Sequence, residues 1–413
     1  MTDIPKEHTI DATLALYREG YDFIGTRCAR FGSDIFETRL LGKKAYCMLG
    51  AEAAEMFYAP GRMTRRGALP TSTLRLLQDE GSVATLDDAE HRHRKAMFLH
   101  LLTPEKADEI ATRAAHELRR TAVNWELRRR VRLHDEFRTI LGRTVIRWAG
   151  LDLARSERER LIGELAAMIE ESGTIGPANW VARGRRRKAE QIVRRQVDQT
   201  RLGFIHPPRD CALATVAWHR DAHGHLLTPE VCAVELLNIL RPVVAIARFM
   251  VFAVDALANH VEDGSRLAED EDFARSFIQE VRRYYPFFPF LGGIARQPFS
   301  WRGREFAAGD FFLLDLYGTN RDPRLYAQPD EFLPERFLDR CPTAFDLIPQ
   351  GGGDHEVNHR CPGEWVTIAV LVALLQTFVR DARFQLVMDD AIDRSELPAS
   401  PKRGLLAQAA VRH

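Results

Sequence analysis

The chain has 413 residues, 45% of them hydrophobic and 28% charged, with 58 Lys and Arg balanced by 58 Asp and Glu. That composition is globular and excludes a disordered or fibrous chain. Zero net charge excludes a general nucleic-acid binder, which needs a basic surface to release counterions. Size alone suggests about two to three domains and burial of about three quarters of the unfolded surface, enough to enclose a large cofactor.

The first residues lack the apolar core of a secretion signal, and no stretch reaches the roughly 20 uninterrupted apolar residues of a membrane span. The nearest, residues 243–258, holds Arg248 and Asp255. A cytoplasmic location with no transmembrane anchor is the expectation. Cys28, Cys47, Cys211, Cys232, Cys341 and Cys361 are scattered without a C-x-x-C pair and read as free thiols.

In chain order, a helical stretch over 12–31 precedes a hairpin of 36–40 and 45–49 turning at Gly42-Lys43. Helical periodicity then covers 87–102, 104–125 and 156–172. The basic run 183–188 has no aromatic interleaving, which points to a solvated helix start or loop rather than a nucleic-acid or membrane patch. Thr228, Pro229 and Glu230 suit a helix cap, first turn and dipole, and open a helix to 260 that is apolar nearly all round. Such a helix belongs in the middle of a fold. It carries Arg241-Pro242 at its centre, and Pro242 removes a backbone donor and should kink it. A helix over 273–285, a hairpin of 299–301 and 306–315 turning at Arg302-Gly303, and an apolar helix over 366–379 complete a mainly α pattern.

The loop from Pro349 to Trp365 reads P-Q-G-G-G-D-H-E-V-N-H-R-C-P-G-E-W. Its glycines would let backbone lie against a bulky flat partner. Cys361 stands at a helix start, where free amides and the dipole favour thiolate, a good axial ligand for haem iron. An isolated cysteine there would be a buried cap, and the Gly-Lys-Ser/Thr ending of a phosphate loop is absent. The surroundings single the loop out: Glu280 and Arg283 share a helix face, and Pro334-Glu335-Arg336-Phe337 follows before it.

Taken together, these segments resemble the cytochrome P-450 superfamily. The lead-in Gln-Gly-Gly-Gly, with Asp354 where the family has phenylalanine and Val357 where it has glycine, resembles its hydrogen-peroxide-using fatty-acid peroxygenase branch. The likeness extends through residues 20–24, 39–43, 240–246, 280–287 and 314–320. It implies a mainly α cytochrome P-450-like haem-thiolate fold with small β-sheets, residues 1–413 as one domain, and haem b (iron protoporphyrin IX) as cofactor. Cys361 would be the axial iron ligand, His91, Lys95 and His359 would hold the haem propionates, and Tyr285 would also contact the haem. Glu280, Arg283 and Arg336 would form a structural triad.

Oxygen-activating relatives carry an acid followed by threonine in the central helix, where this chain has Arg241-Pro242. Arginine stays protonated and only donates. Its charge is expensive in an apolar helix without an anionic partner. Glu235 lies off its i−3/i−4 face and Asp255 several turns away, so a fatty-acid carboxylate is the expected partner. That carboxylate would then act as the general acid–base for hydrogen peroxide. Pinning it directs hydroxylation to the α or β carbon, with some oxidative decarboxylation to terminal alkene open, and no redox partner is required. Arg241 and Pro242 are the expected catalytic pair. Ala84 falls where hydroxylating relatives carry glutamine and decarboxylating ones histidine, and Gln78 where the family has phenylalanine. Phe287, Phe288 and Phe290 either line the substrate tunnel or pack beside the haem. Two alternatives remain: a monooxygenase fed by a redox partner, and a non-catalytic fatty-acid or haem-binding protein.

Overall fold

The computed structural model describes residues 4–125, 127–128, 130–381, 384–387 and 391–409. It is mainly α, with three small sheets at the periphery. The helix Pro229–Asn259 runs through the centre, packed by Leu133–Trp148, Arg155–Glu170, Pro177–Arg201, Glu271–Tyr284 and Glu364–Asp381. Its long apolar sequence explains the position, because a helix with no polar face is stable only when surrounded. By length and composition it could cross a membrane, but here it is the buried core. Pro242 lies inside a continuous helix and leaves the Asn238 carbonyl without its helical donor.

The five-stranded sheet runs Ile35–Leu40, Lys43–Met48, Phe311–Asp315, Phe290–Ala295, Met63–Thr64. Only the second and third strands pair in parallel. The first hairpin turns at Leu41 and Gly42, both at positive φ, the primed turn that matches strand twist.

Several expectations need correction. The first helical stretch is two helices, Thr13–Glu19 and Phe23–Phe31, parted by a short 3-10 turn beginning at Gly20. At φ 55, Gly20 packs so tightly against Arg394 and Ser395 that no side chain would fit. The second hairpin pairs Phe299–Trp301 with Arg304–Phe306 alone, and Phe311–Asp315 departs after Gly309 to join the large sheet. The basic run is neither helix start nor loop but the first half of Pro177–Arg201. Within it Arg186 is buried, donating to Glu190 at 2.7 Å and to the Leu76 carbonyl at 3.0 Å. Periodicity alone does not mark the helices Ala51–Tyr58, Thr71–Leu77, Leu133–Trp148 and Pro177–Arg201.

Candidate functional site

Cys361 lies three residues before the helix Glu364–Asp381, in a loop tied down at many points. Its amide donates to the Gln350 carbonyl at 3.3 Å. Asn358 donates to the Tyr58 carbonyl at 2.9 Å and accepts from the Asp354 amide at 2.8 Å. Lys95 donates to the carbonyls of Asn358 and Arg360, the latter at 3.0 Å. The glycines have a different purpose from the one expected. A Cβ on Gly352 would lie 2.7 Å from the Ala344 carbonyl oxygen, and one on Gly353 2.6 Å from Asn358 Oδ1. Gly351 and Gly353 also sit at φ 91 and 83. The protein's own packing demands them. Of the loop glycines, only Gly363 stands open beside the sulfur, where an added Cβ would lie 3.9 Å from Sγ.

All six cysteines are free, and Cys361 is half-buried. Burial pushes its thiol pKa up, ahead of the Gly363 amide, Lys95 and Arg282, which pull it down. The expected thiolate is therefore not supplied by the helix start alone; a bound metal cation is what would hold the sulfur deprotonated.

Around the loop stand two cations, Arg65 and Lys95, and the imidazoles of His91 and His359. The rings of His91 and His359 lie with centroids 3.9 Å apart. Burial drives the pKa of His91 down to about 4, helped by Lys95, Arg65 and Arg92. His359 is pushed down by burial, then by Arg65, His91 and Lys95. The two rings thus sit in a field of cations. Lys95 falls to about 8, with burial the largest cause. Two of its three N–H groups hold the loop and one is left for a ligand.

Arg241 lies on the central helix, 9% exposed. Its Nη2 donates to Asn238 Oδ1 at 3.2 Å, its Nε has no partner, and no carboxylate pairs with it among the described residues. Asn238 donates in turn to Glu235 Oε2 at 3.2 Å and to the Gln78 carbonyl at 3.4 Å. Glu235, fully buried, is taken by Arg94 at 2.7 Å and by the Val83 amide at 2.9 Å. Burial and then Arg186 push the Arg241 pKa down, whereas the Cys361 sulfur pulls it up.

The helix face beside Arg241 is open. Among buried neighbours, Asn238 and Ala245 are half-buried and Pro242 is exposed. The spacing i, i+4, i+7 places them on one face. None of the three titrates. Gln78 ends the helix Thr71–Leu77, and Ala84 lies in the 3-10 turn Val83–Thr85, both held to the central helix one to two turns before Arg241. Phe287 stacks on Phe249 at 3.8 Å and meets the exposed Phe288 edge-on at 4.7 Å. Phe290 begins a strand of the large sheet. Tyr285 is the exception: its hydroxyl donates to Asp255 at 2.8 Å and its ring stacks on Phe252 at 5.0 Å, so it is a core residue and not brought to the cysteine loop.

The expected triad does converge. Arg283 donates from Nε and Nη2 to the two Glu280 oxygens at 2.7 and 2.8 Å, and Arg336 Nε lies 3.2 Å from the same carboxylate. Both arginines continue to backbone carbonyls, among them Pro329 and Ala327. With Glu280 and Arg283 fully buried and Arg336 partly so, this cluster ties down the segment leading to the cysteine loop. A second buried charge group is not legible in the sequence: Arg282 pairs with Glu364, which also accepts from Arg360 at 2.6 Å. Arg65, Asn238, Gln350 and the Glu235–Arg94 pair escape sequence reasoning as well. Of these, only Arg94, three residues after His91, carries a positional signal.

This donor set fits a haem. Cys361 is a half-buried free thiol, and the cations Arg65 and Lys95 stand beside the neutral imidazoles of His91 and His359, with donors left over for an anion. Two propionates would supply the anions these donors lack.

A Cytochrome P450 family model matches residues 269–407. Along the whole chain, a structure of Cytochrome P450SP alpha (CYP152B1) in complex with (R)-ibuprophen is 40% identical, with TM-score 0.92, covering 96% of this chain and 98% of that one. Cytochrome P450EX alpha (CYP152N1) with myristic acid is 38% identical, with TM-score 0.94 and 100% of both chains covered. A variant of cytochrome P450 OleT in complex with arachidonic acid is 31% identical, with TM-score 0.94 and 100% of both covered.

Proposed function

The chain belongs to the cytochrome P450 family, on the branch of the CYP152 enzymes, and from that premise we propose that it is a haem-thiolate peroxygenase. It uses hydrogen peroxide to hydroxylate fatty acids at the α or β carbon. The observation that carries this reading is Arg241: a buried guanidinium whose one hydrogen-bond partner among the described residues is neutral, beside an open helix face that contains no titratable group. P450SP alpha, P450EX alpha and OleT were each solved with a carboxylic acid, which supports a carboxylate as the missing partner.

Cys361 would hold haem b from one side, with His91, His359, Arg65 and the free N–H of Lys95 on the propionates. When bound, the haem supplies the iron chemistry that moves an oxygen atom from peroxide into a C–H bond. The protein does the rest. Arg241 grips the carboxylate through Nε and its unused Nη hydrogens, a two-pronged charge-assisted contact. Asn238 Oδ1 takes one Nη2 hydrogen and so sets the plane of the fork. Asn238, Pro242 and Ala245 offer no acid, so the proton that peroxide must lose and regain moves through the substrate carboxylate itself. Pro242 adds rigid apolar surface without a competing donor. Phe287 and Phe288 border the alkyl chain, with Phe287 braced by Phe249. Because the carboxylate is fixed, only the first carbons of the chain reach the reacting position.

The test is product analysis by mass spectrometry with saturated fatty acids and hydrogen peroxide alone. 2- or 3-Hydroxy acids formed without reductant are the expected result. Turnover only with NADPH and electron-transfer proteins would replace this reading with a redox-partner-dependent monooxygenase.

A further inference from the structure

The amide of Gln350 touches the sulfur of Cys361. Its Nε2 lies 3.7 Å from Sγ and 3.0 Å from Thr367 Oγ1, and its Oε1 accepts from Arg282 Nη2 at 3.1 Å. Oxygen and nitrogen of an amide are alike in shape, so the orientation has to be argued from the neighbours. Arg282 can only donate, so the oxygen must face it and the NH2 must face the sulfur. Thr367 agrees: its hydroxyl donates to the Gly363 carbonyl at 3.2 Å, which leaves its oxygen to accept from Gln350. Arg282 is fully buried and is held by Glu364, which Arg360 holds from the other side. The Gln350 carbonyl also accepts the Cys361 amide at 3.3 Å.

We propose that Gln350 is a positioning residue that donates an N–H···S hydrogen bond to the ligand sulfur, its direction fixed by the buried Arg282–Glu364 pair. The proposal rests on the reading of Cys361 as the haem ligand. A donor on a metal-bound sulfur withdraws electron density from it and raises the reduction potential of the metal. Arg282 comes from outside the cysteine loop, on the helix that also bears Glu280 and Arg283. One helix therefore anchors both the structural triad and the electronic setting of the sulfur.

The experiment compares haem-loaded wild type, Gln350→Glu and Gln350→Met by reduction potential and by the Fe–S stretching band in resonance Raman spectra. Gln350→Glu keeps an acceptor for Arg282 but has no N–H for the sulfur. Both variants are expected to shift the potential to more negative values and the Fe–S band to higher frequency, Gln350→Glu at least as far as Gln350→Met. If Gln350→Glu leaves both readouts at the wild-type position, the hydrogen bond is not acting on the sulfur and the proposal is overturned, whatever Gln350→Met does. If wild type itself shows no thiolate band in its reduced carbon monoxide spectrum, the reading of Cys361 fails instead.

Discussion

Glu235 and Arg241 share a helix, yet the carboxylate is taken by Arg94 at 2.7 Å and reaches the guanidinium only through Asn238. That division leaves Arg241 as a cation waiting for an anion. Under the proposed function that anion is the substrate's carboxylate, so binding would complete the catalytic site.

Arg241→Ala should lower peroxide-driven fatty-acid oxidation by about 100-fold or more, because a charge-assisted contact of about 3 kcal/mol is lost, at about 1.4 kcal/mol per tenfold. Initial rates of hydroxy-acid formation measure it. Survival of near wild-type rates would sink the carboxylate mechanism.

Arg94→Met removes the partner of a carboxylate that is completely out of water. Loss of one member of a buried pair costs about 3–5 kcal/mol. Burial already pushes the Glu235 pKa up against Arg94, so the orphaned acid should take up a proton. Urea unfolding should show the loss of stability, with weaker fatty-acid binding where Asn238 is disturbed.

His134 gives the pH dependence a sign. Burial, then Arg248, Arg138 and Arg132, hold its folded pKa down at about 3. The unfolded histidine titrates near 6.5, so below that pH the unfolded state binds more protons than the native one. Stability is therefore full above about pH 6.5 and falls as the pH drops toward 3. His134 should cost about 2 kcal/mol by pH 5, at about 1.4 kcal/mol per unit. In chemical unfolding between pH 5 and 7, His134→Gln should flatten the slope; an unchanged slope would show that His134 is not responsible.

Ala84 sits in the 3-10 turn whose Val83 amide donates to Glu235, on the same helix as Arg241. Ala84→Gln should change the ratio of 2- to 3-hydroxy acid, because a hydrogen-bonding group is added where none exists. Gas chromatography with mass spectrometry resolves the two products. An unchanged ratio would remove Ala84 from the selectivity set.

Much of the site is legible from residue types and order. Cys361 stands out through its loop, Arg241 through the absence of acids at helical spacing, and Glu280–Arg283 through their shared face. The helix Pro177–Arg201 does not, because its charged sequence hides a thin apolar stripe behind many arginines, one of which is buried. Tyr285 misleads because adjacency in sequence to a family segment says nothing of which way a ring packs. Its partners Asp255 and Phe252 come from the central helix.

The zero net charge of the chain describes its surface and conceals its interior. Residue order alone reveals which groups are chemically capable: a single cysteine in a glycine loop, an arginine before a proline in an apolar helix, an acid and two arginines in succession. Helical period and residue chemistry are local, so they can be read without a fold. Which charges find partners is settled only in three dimensions. Glu235 goes to Arg94, Glu364 to Arg282 and Arg360, and Arg241 to no acid among the described residues. Pairing depends on distances between elements far apart in the chain, and the cost of an unpaired charge depends on burial that only packing creates.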